Sequence, residues 1–380
     1  MTPQKTNLRD PICGMQGSLE RHGRWFCSEA CVAEYEHRQA DHAPRRRWAA
    51  LDAWIWVPAT GLVMLSLGLW WPGAATISAI YRGYVGKVLV PFLIGVALGG
   101  FIDHFVPREY VVRLLSGSRK RVIARATLLG FLASTCSHGC LALSIELYRK
   151  GAAIPAVVSF LLASPWASMS LTFILLSLFG PLGLLFIAGA LGIAYATGLI
   201  FQRLASAGRI ETNPNAVVLE SGYSIRRDFG ARWRKYPWTL DQLSRDARGV
   251  LAGMVPLGRM MLGWVQLGLI LSALLGGLVP HGLIDRFLGP TPAGLTLTLF
   301  AAAVIEVCSE GTAPLAYEIY RHTGALGNAF AFLMGGVVTD YTELIVLWRN
   351  IGRRTVLWML VVTLPMVMLL GLVLNWIAAR

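Results

Sequence analysis

Charge is scarce in this 380-residue chain: 14% of its residues are Asp, Glu, Lys or Arg, against 55% that are hydrophobic. A soluble domain needs a charged exterior, and a mean hydropathy of +0.56 excludes that class. Acid is scarcer than base, with 21 Asp and Glu against 34 Lys and Arg. The surplus base lies in loops beside apolar runs, which reads as the positive-inside bias of a membrane protein and excludes nucleic acid as a partner. The polar first 47 residues contain no apolar core, so no cleavable signal peptide is expected. A Walker-type phosphate loop is also missing, so no nucleotide cofactor and no enzymatic role are expected.

What is abundant is apolar sequence in windows of the roughly 20 residues that cross a bilayer. They lie near 51–71, 87–106, 152–177, 181–202, 255–279, 325–347 and 355–378. Two more apolar segments, 122–147 and 293–319, carry residues that lipid should not surround. The first holds Cys136, Ser137, His138, Gly139 and Cys140; the second holds Cys308, Ser309, Glu310 and Gly311.

Cysteine is rare, and half of the six residues fall in a short polar module, as Cys13, Cys27 and Cys31. With His22 or His37 as a fourth ligand, three thiolates suit a soft ion such as Zn or Cu, whose binding would supply folding energy. The flanking "DPICGM" and "FCSEAC" resemble the start and end of YHS/TRASH-type metal-binding modules. A disulfide-bonded fragment is the alternative, but Arg45, Arg46 and Arg47 before the first span place this end in the cytosol, where disulfides are rare.

Charge also fixes a topology. From a cytoplasmic N-terminus, two spans return the chain to an inside loop with Arg108, Arg113, Arg119, Lys120 and Arg121. If 122–147 crossed, Arg149, Lys150 and the basic 206–250 loop would all lie outside. A re-entrant hairpin broken near Ser137–Gly139 puts them inside again, with Gly139 and Gly311 letting the backbone turn. Each arm of about a dozen residues would span roughly 18 Å, enough to pass mid-membrane. A conventional nine-span arrangement is the alternative.

The two polar segments are related. "CSHGCLALSIELYRK" at 136–150 aligns without a gap to "CSEGTAPLAYEIYRH" at 308–322. With three full spans in each repeat the halves face opposite ways, the inverted-repeat architecture of secondary transporters. The expected fold is therefore an all-α polytopic membrane protein of two homologous, inverted repeats. Each repeat has a broken or re-entrant Cys-Ser-x-Gly segment, with about seven to nine membrane helices in all. The expected divisions are a Cys-rich module at 1–44, the first span and first repeat at 45–205, a basic cytoplasmic loop at 206–250 and the second repeat at 251–380.

"EVCSEGTAPLAYEIYRHTGALGNAFAFLMGGVVTDYTE" at 306–343 resembles a family of predicted permeases that includes organoarsenical efflux permeases. The resemblance covers roughly 85–380 and implies export of trivalent organoarsenicals or a related thiol-seeking solute. It carries over a Cys-Ser pair in each half, Cys136-Ser137 and Cys308-Ser309, and the Thr339–Glu343 segment. His138 and Cys140 depart from the family pattern, as does the N-terminal module.

Soft sulfur and imidazole donors favour metalloids and soft metals, so Cys136, His138, Cys140 and Cys308, with Ser137, Gly139, Ser309, Glu310 and Gly311, form the candidate transport site. Against this, cysteines often pack as small hydrophobes. Glu306, Asp340 and Glu343 are candidates for proton coupling, because carboxylates in apolar spans mark ion paths; placement of Asp340 and Glu343 near the membrane surface would make them merely solvated. Glu146 and Glu318 recur with Tyr and Arg two and three residues later, and Arg149 and Arg321 read as interfacial anchors, more structural than catalytic. The chain is expected to be a multi-pass inner-membrane permease whose partners are lipid, the solute and, as a homo-oligomer, its own copies. A transporter of sulfur-containing or other small organic solutes, or a membrane-anchored metal sensor, are the competing readings.

Overall fold

The computed structural model describes residues 19–21, 24–26, 32, 35, 53–105, 114–115, 120–133, 137–149, 151–214, 239–305 and 308–379. In the N-terminal unit, β1 (Leu19–Arg21) and β2 (Arg24–Phe26) form an antiparallel hairpin pairing Glu20 with Trp25. Arg24 lies over the Tyr35 ring at 5.3 Å. Cys13, His22, Cys27, Cys31 and His37 fall outside the described residues.

The rest of the described chain is helical: an all-α polytopic membrane protein. Its first helices are α1 (Ala53–Trp70), α2 (Ala75–Phe105), α3 (Lys120–Ala133), α4 (Ser137–Arg149), α5 (Ile154–Ala167), α6 (Met169–Phe179) and α7 (Leu182–Ser206). Then follow α8 (Leu240–Leu278), α9 (His281–Leu288), α10 (Pro292–Ile305), α11 (Ser309–Thr323), α12 (Leu326–Thr339), α13 (Tyr341–Asn350) and α14 (Arg353–Ala378). Among the described residues, six stretches are long and apolar enough to cross a bilayer, or seven if the 98° bend between α9 and α10 lies within one span. Their outer faces are apolar: Val90, Val361 and Leu369 are 59%, 61% and 63% exposed, as expected where lipid replaces water. Helix α8 already begins at Leu240, so the last part of the expected 206–250 loop is helix, opened by the Thr239 side chain accepting from the Gln242 amide.

The repeat is visible in the element boundaries. Helices opening at Lys120, Ser137, Ile154 and Met169 recur 172 positions later at Pro292, Ser309, Leu326 and Tyr341. Both internal breaks fall in register too, at Ser168 and Asp340. Packing repeats with the boundaries: α3 and α4 lie on α5 as α10 and α11 lie on α12. Across the halves, α6 packs on α11 as α13 packs on α4.

Each apolar segment with the polar motif is a re-entrant hairpin. Thr127 and Gly130 of α3 meet Ser159 and Ala163 of α5 in the same order, so these helices run parallel. Helix α4 then returns along α5, joined to it by a turn at Gly151 (φ 93). Both ends of the first hairpin therefore lie at one end of the bundle. In the second half, Asn328 meets Thr298 and Gly336 meets Ala302, so α10 runs parallel to α12. Helix α11 turns into α12 at the left-handed Gly324 (φ 65).

The hairpins open at opposite ends. Arg149 donates to Asn350 at 3.2 Å, and Asn213 donates to the Tyr148 and Ala152 carbonyls at 2.7 and 2.8 Å. Phe179, at the far end of the same α5–α6 span, stacks instead against Tyr317 and Tyr320 of the second hairpin at 5.2 and 5.6 Å. The repeats are thus inverted, and the nine-span alternative fails because 122–147 does not cross. One detail is corrected. Gly139 and Gly311 lie within α4 and α11 with no positive φ, so neither glycine is where the backbone turns. Close approach at Gly311 comes from the facing Gly268 of α8, where a Cβ would overlap the Gly311 carbonyl.

Candidate functional site

Broken helices leave backbone groups without partners, and such breaks are stable in a membrane only when packed against protein or a cavity. The break at Ser168 is capped locally: its hydroxyl accepts from the Leu171 amide at 3.1 Å. The same hydroxyl donates to Glu310 Oε1 at 3.1 Å, as does that of Ser170. Ser309 donates to Glu310 Oε2, also at 3.1 Å. Glu310 is wholly buried in the first turn of α11, where the exposed amides of a helix N-terminus favour negative charge. Three hydroxyls and a helix end thus converge on one carboxylate, at the depth where the second hairpin's tip meets the first half's broken span.

Close helix approach makes this possible. Gly95 of α2 lies directly on Ser170, and Gly268 of α8 on Gly311; a Cβ at either glycine would overlap backbone. Trp166, fully buried, ties the halves together by donating to the Met334 carbonyl at 3.1 Å. Cys308 is the residue preceding α11, buried at 8% exposure, one residue from the Ser309–Glu310 pair.

The other sequence-derived candidates are distributed as follows. Cys140 is fully buried with its sulfur 4.0 and 3.9 Å from the Phe160 and Leu161 carbonyls, so it faces the α4–α5 contact. Gly139 lies in the first turn of α4; Cys136, Glu306 and the side chains of Ser137 and His138 fall outside the described residues. Asp340 is half-buried. It sits at the break within the Leu326–Asn350 span and caps α13, accepting from the Thr342 amide and hydroxyl at 2.8 and 2.6 Å and from the Glu343 amide at 3.2 Å. Glu343 follows in that helix's first turn, 4% exposed. Among the described residues, no three His, Cys, Asp or Glu gather closely enough to hold a metal.

Ser168 and Ser170 were not picked out by sequence reasoning. The signal was present in the repeat register, where Ser168-Met169-Ser170 stands against Asp340-Tyr341-Thr342. Two unremarkable serines acquire meaning from that alignment.

Two oppositely entering hairpins, with their tips packed at broken spans, define a membrane transport protein. The chain belongs to the family described as "Predicted permease", which residues 74–376 match. It is 25% identical over 286 residues to the "UPF0718 protein YcgR" of Bacillus subtilis, covering 74% of this chain and 91% of that one. It is 28% identical over 251 residues to the "Putative permease Rv2963" of Mycobacterium tuberculosis, covering 61% of this chain and 60% of that one. No solved structure matches the chain. Membership marks it as a multi-pass membrane permease.

Proposed function

We propose that this permease exports a soft, thiol-seeking solute, a trivalent organoarsenical or a related metalloid or metal species, through the space between the two Cys-Ser-x-Gly tips. The observation that carries this reading is Cys308 at the mouth of α11, beside a carboxylate held by Ser168, Ser170 and Ser309. A thiol supplies a soft donor: its sulfur displaces hydroxide from the metalloid, the hydroxide leaving with the thiol proton as water, and where a bare metal cation binds instead, Glu310 takes the thiol proton. Cys136, in the matching position of the first repeat, is the second thiol ligand.

The end of the bundle bearing Lys120, Arg121, Arg149, Arg203 and Arg209 faces the cytoplasm by the positive-inside bias, which makes the chain an inner-membrane protein with a cytoplasmic N-terminus. The module at 1–44, holding Zn or Cu through Cys13, Cys27 and Cys31 with His22, receives or senses the solute there. In the competing reading the cysteines are packing residues and the solute is a small organic molecule; Cys140, turned onto α5, fits that reading for its own position. Uptake of trivalent phenylarsenite into inside-out vesicles separates the two. Loss of uptake in Cys308→Ser and Cys136→Ser supports the thiol mechanism, and undiminished uptake in both sinks it.

A further inference from the structure

The second hairpin carries a second buried carboxylate far from its tip. Glu318 is fully buried, eight residues after Glu310 and about 12 Å further along α11 at 1.5 Å per residue. Tyr84 of α2 donates to its Oε1 at 2.6 Å, and Arg321 Nε donates to Oε2 at 3.1 Å. His322 Nε2 also lies 3.1 Å from Oε2, its side chain fully buried, while the Arg321 side chain is 45% exposed. The cluster therefore sits just beneath the end of the bundle opposite the basic one. Gly276 of α8 presses against the carboxylate and offers no side chain to it.

Arg321 alone balances the charge of Glu318, so His322 is a second base on an oxygen that already has a cation. Buried ion pairs contribute little net stability, and ionisable groups inside membrane segments are costly enough to imply function. The first repeat argues that the fold does not need the imidazole. Glu146 and Arg149 match Glu318 and Arg321, but Lys150 stands where His322 does. Imidazole is the side chain that changes charge between about pH 5 and 8.

We infer that Glu318 and His322 form a proton-binding site that couples proton entry from the end opposite the basic face to movement of the second hairpin. Neutral His322 takes a proton from water at that end, becoming an imidazolium paired with the Glu318 carboxylate, and returns it to water on the other side of the cycle. The ionisable groups around the pair are Tyr84 from α2, with Lys87 one turn on over the Tyr317 ring at 5.1 Å, and Tyr317, Tyr320 and Arg321 from α11; α9, which also packs on α11, carries His281 and the exposed Asp285 and Arg286, while α6, α12 and the adjoining part of α8 carry no ionisable residue. Tyr84 links the site to the first half, so a change of charge alters the hold of α2 on the arm whose other end bears Glu310.

This rests on the transporter reading but is tested partly without it. In proteoliposomes of the full chain, phenylarsenite uptake driven by a pH gradient and phenylarsenite counterflow at equal pH are compared in the native protein, His322→Gln and His322→Lys. Loss of gradient-driven uptake and of its pH profile in both variants, with counterflow kept, supports the site; an unchanged pH profile overturns it. If the native protein moves no phenylarsenite, the substrate assignment fails instead. The coupling site is then judged by infrared-detected proton uptake of the substrate-free protein, which must show a titration between about pH 5 and 8 that His322→Lys abolishes. Absence of that titration overturns the proposal, as it also does if the variants lose counterflow.

Discussion

Glu310 shows how little of a site one residue supplies. Its carboxylate is an acceptor only, and Ser168, Ser170 and Ser309 provide the donors that make its burial tolerable. Removing one, as in Ser170→Ala, leaves a buried oxygen short of a partner and is expected to cost about 1–3 kcal/mol of stability, read by thermal unfolding in detergent. Glu310→Gln is expected to abolish transport while the protein still purifies as a single species. At the basic end, Glu211 caps α14: it accepts from the Arg354 and Thr355 amides at 2.8 and 2.9 Å and from the Thr355 hydroxyl at 2.7 Å. Burial alone raises the carboxyl's pKa, but these bonds outweigh it and hold it below the usual 4.5. A carboxylate lowered on folding stabilises the protein above its unfolded pKa and loses that contribution as pH falls through the folded value. The difference in unfolding temperature between the native protein and Glu211→Gln should therefore shrink from about pH 6 to about pH 3. Gly352 adopts φ 144 against the same carboxylate, so Gly352→Ala is expected to cost about 1–3 kcal/mol by the same assay.

Among the elements, the hairpin arms depend on close helix contact more than on length. At about 1.5 Å per residue, the 15 residues of α11 reach roughly 22 Å, short of a full crossing. The arm holds its place because Gly268 lets α8 lie on Gly311 and Gly276 lets it lie on Glu318. Gly268→Val forces those backbones apart and is expected to destabilise the protein by about 1–3 kcal/mol while also reducing transport. A loss of stability with transport intact would show that the tip does not need this contact. The breaks at Ser168 and Asp340 follow the same logic: each break is capped by its own side chain, so a span changes direction mid-membrane without stranding its amides.

For the molecule as a whole, inversion makes a sided prediction. Cysteines placed at Lys120, Arg149 and Arg209 should react with an impermeant thiol reagent only from the side that carries the basic loops. Cysteines at Thr291 and Thr323 should react only from the other side. Labelling of Lys120→Cys and Arg149→Cys from opposite sides would restore a crossing for 122–147 and dismantle the hairpin.

Much of this architecture was legible in the chain. Hydropathy separated the spans, and a charge bias acting over whole loops required 122–147 to re-enter. The Cys-Ser-x-Gly repeat, with Glu, Tyr and Arg in step, gave the two halves. These are properties of composition and order, which the bilayer enforces on each segment separately. The cage around Glu310 was not legible, because Ser168 and Ser170 lie 142 and 140 positions away in sequence and look like ordinary helix residues. Asp340 gave no sign of its depth either, since a capping carboxylate and a solvated one read alike. Only the folded chain, with two glycine-lined approaches bringing α2 and α8 onto the tips, decided which polar groups meet. Such meetings depend on packing between distant helices, and local sequence carries no record of that distance.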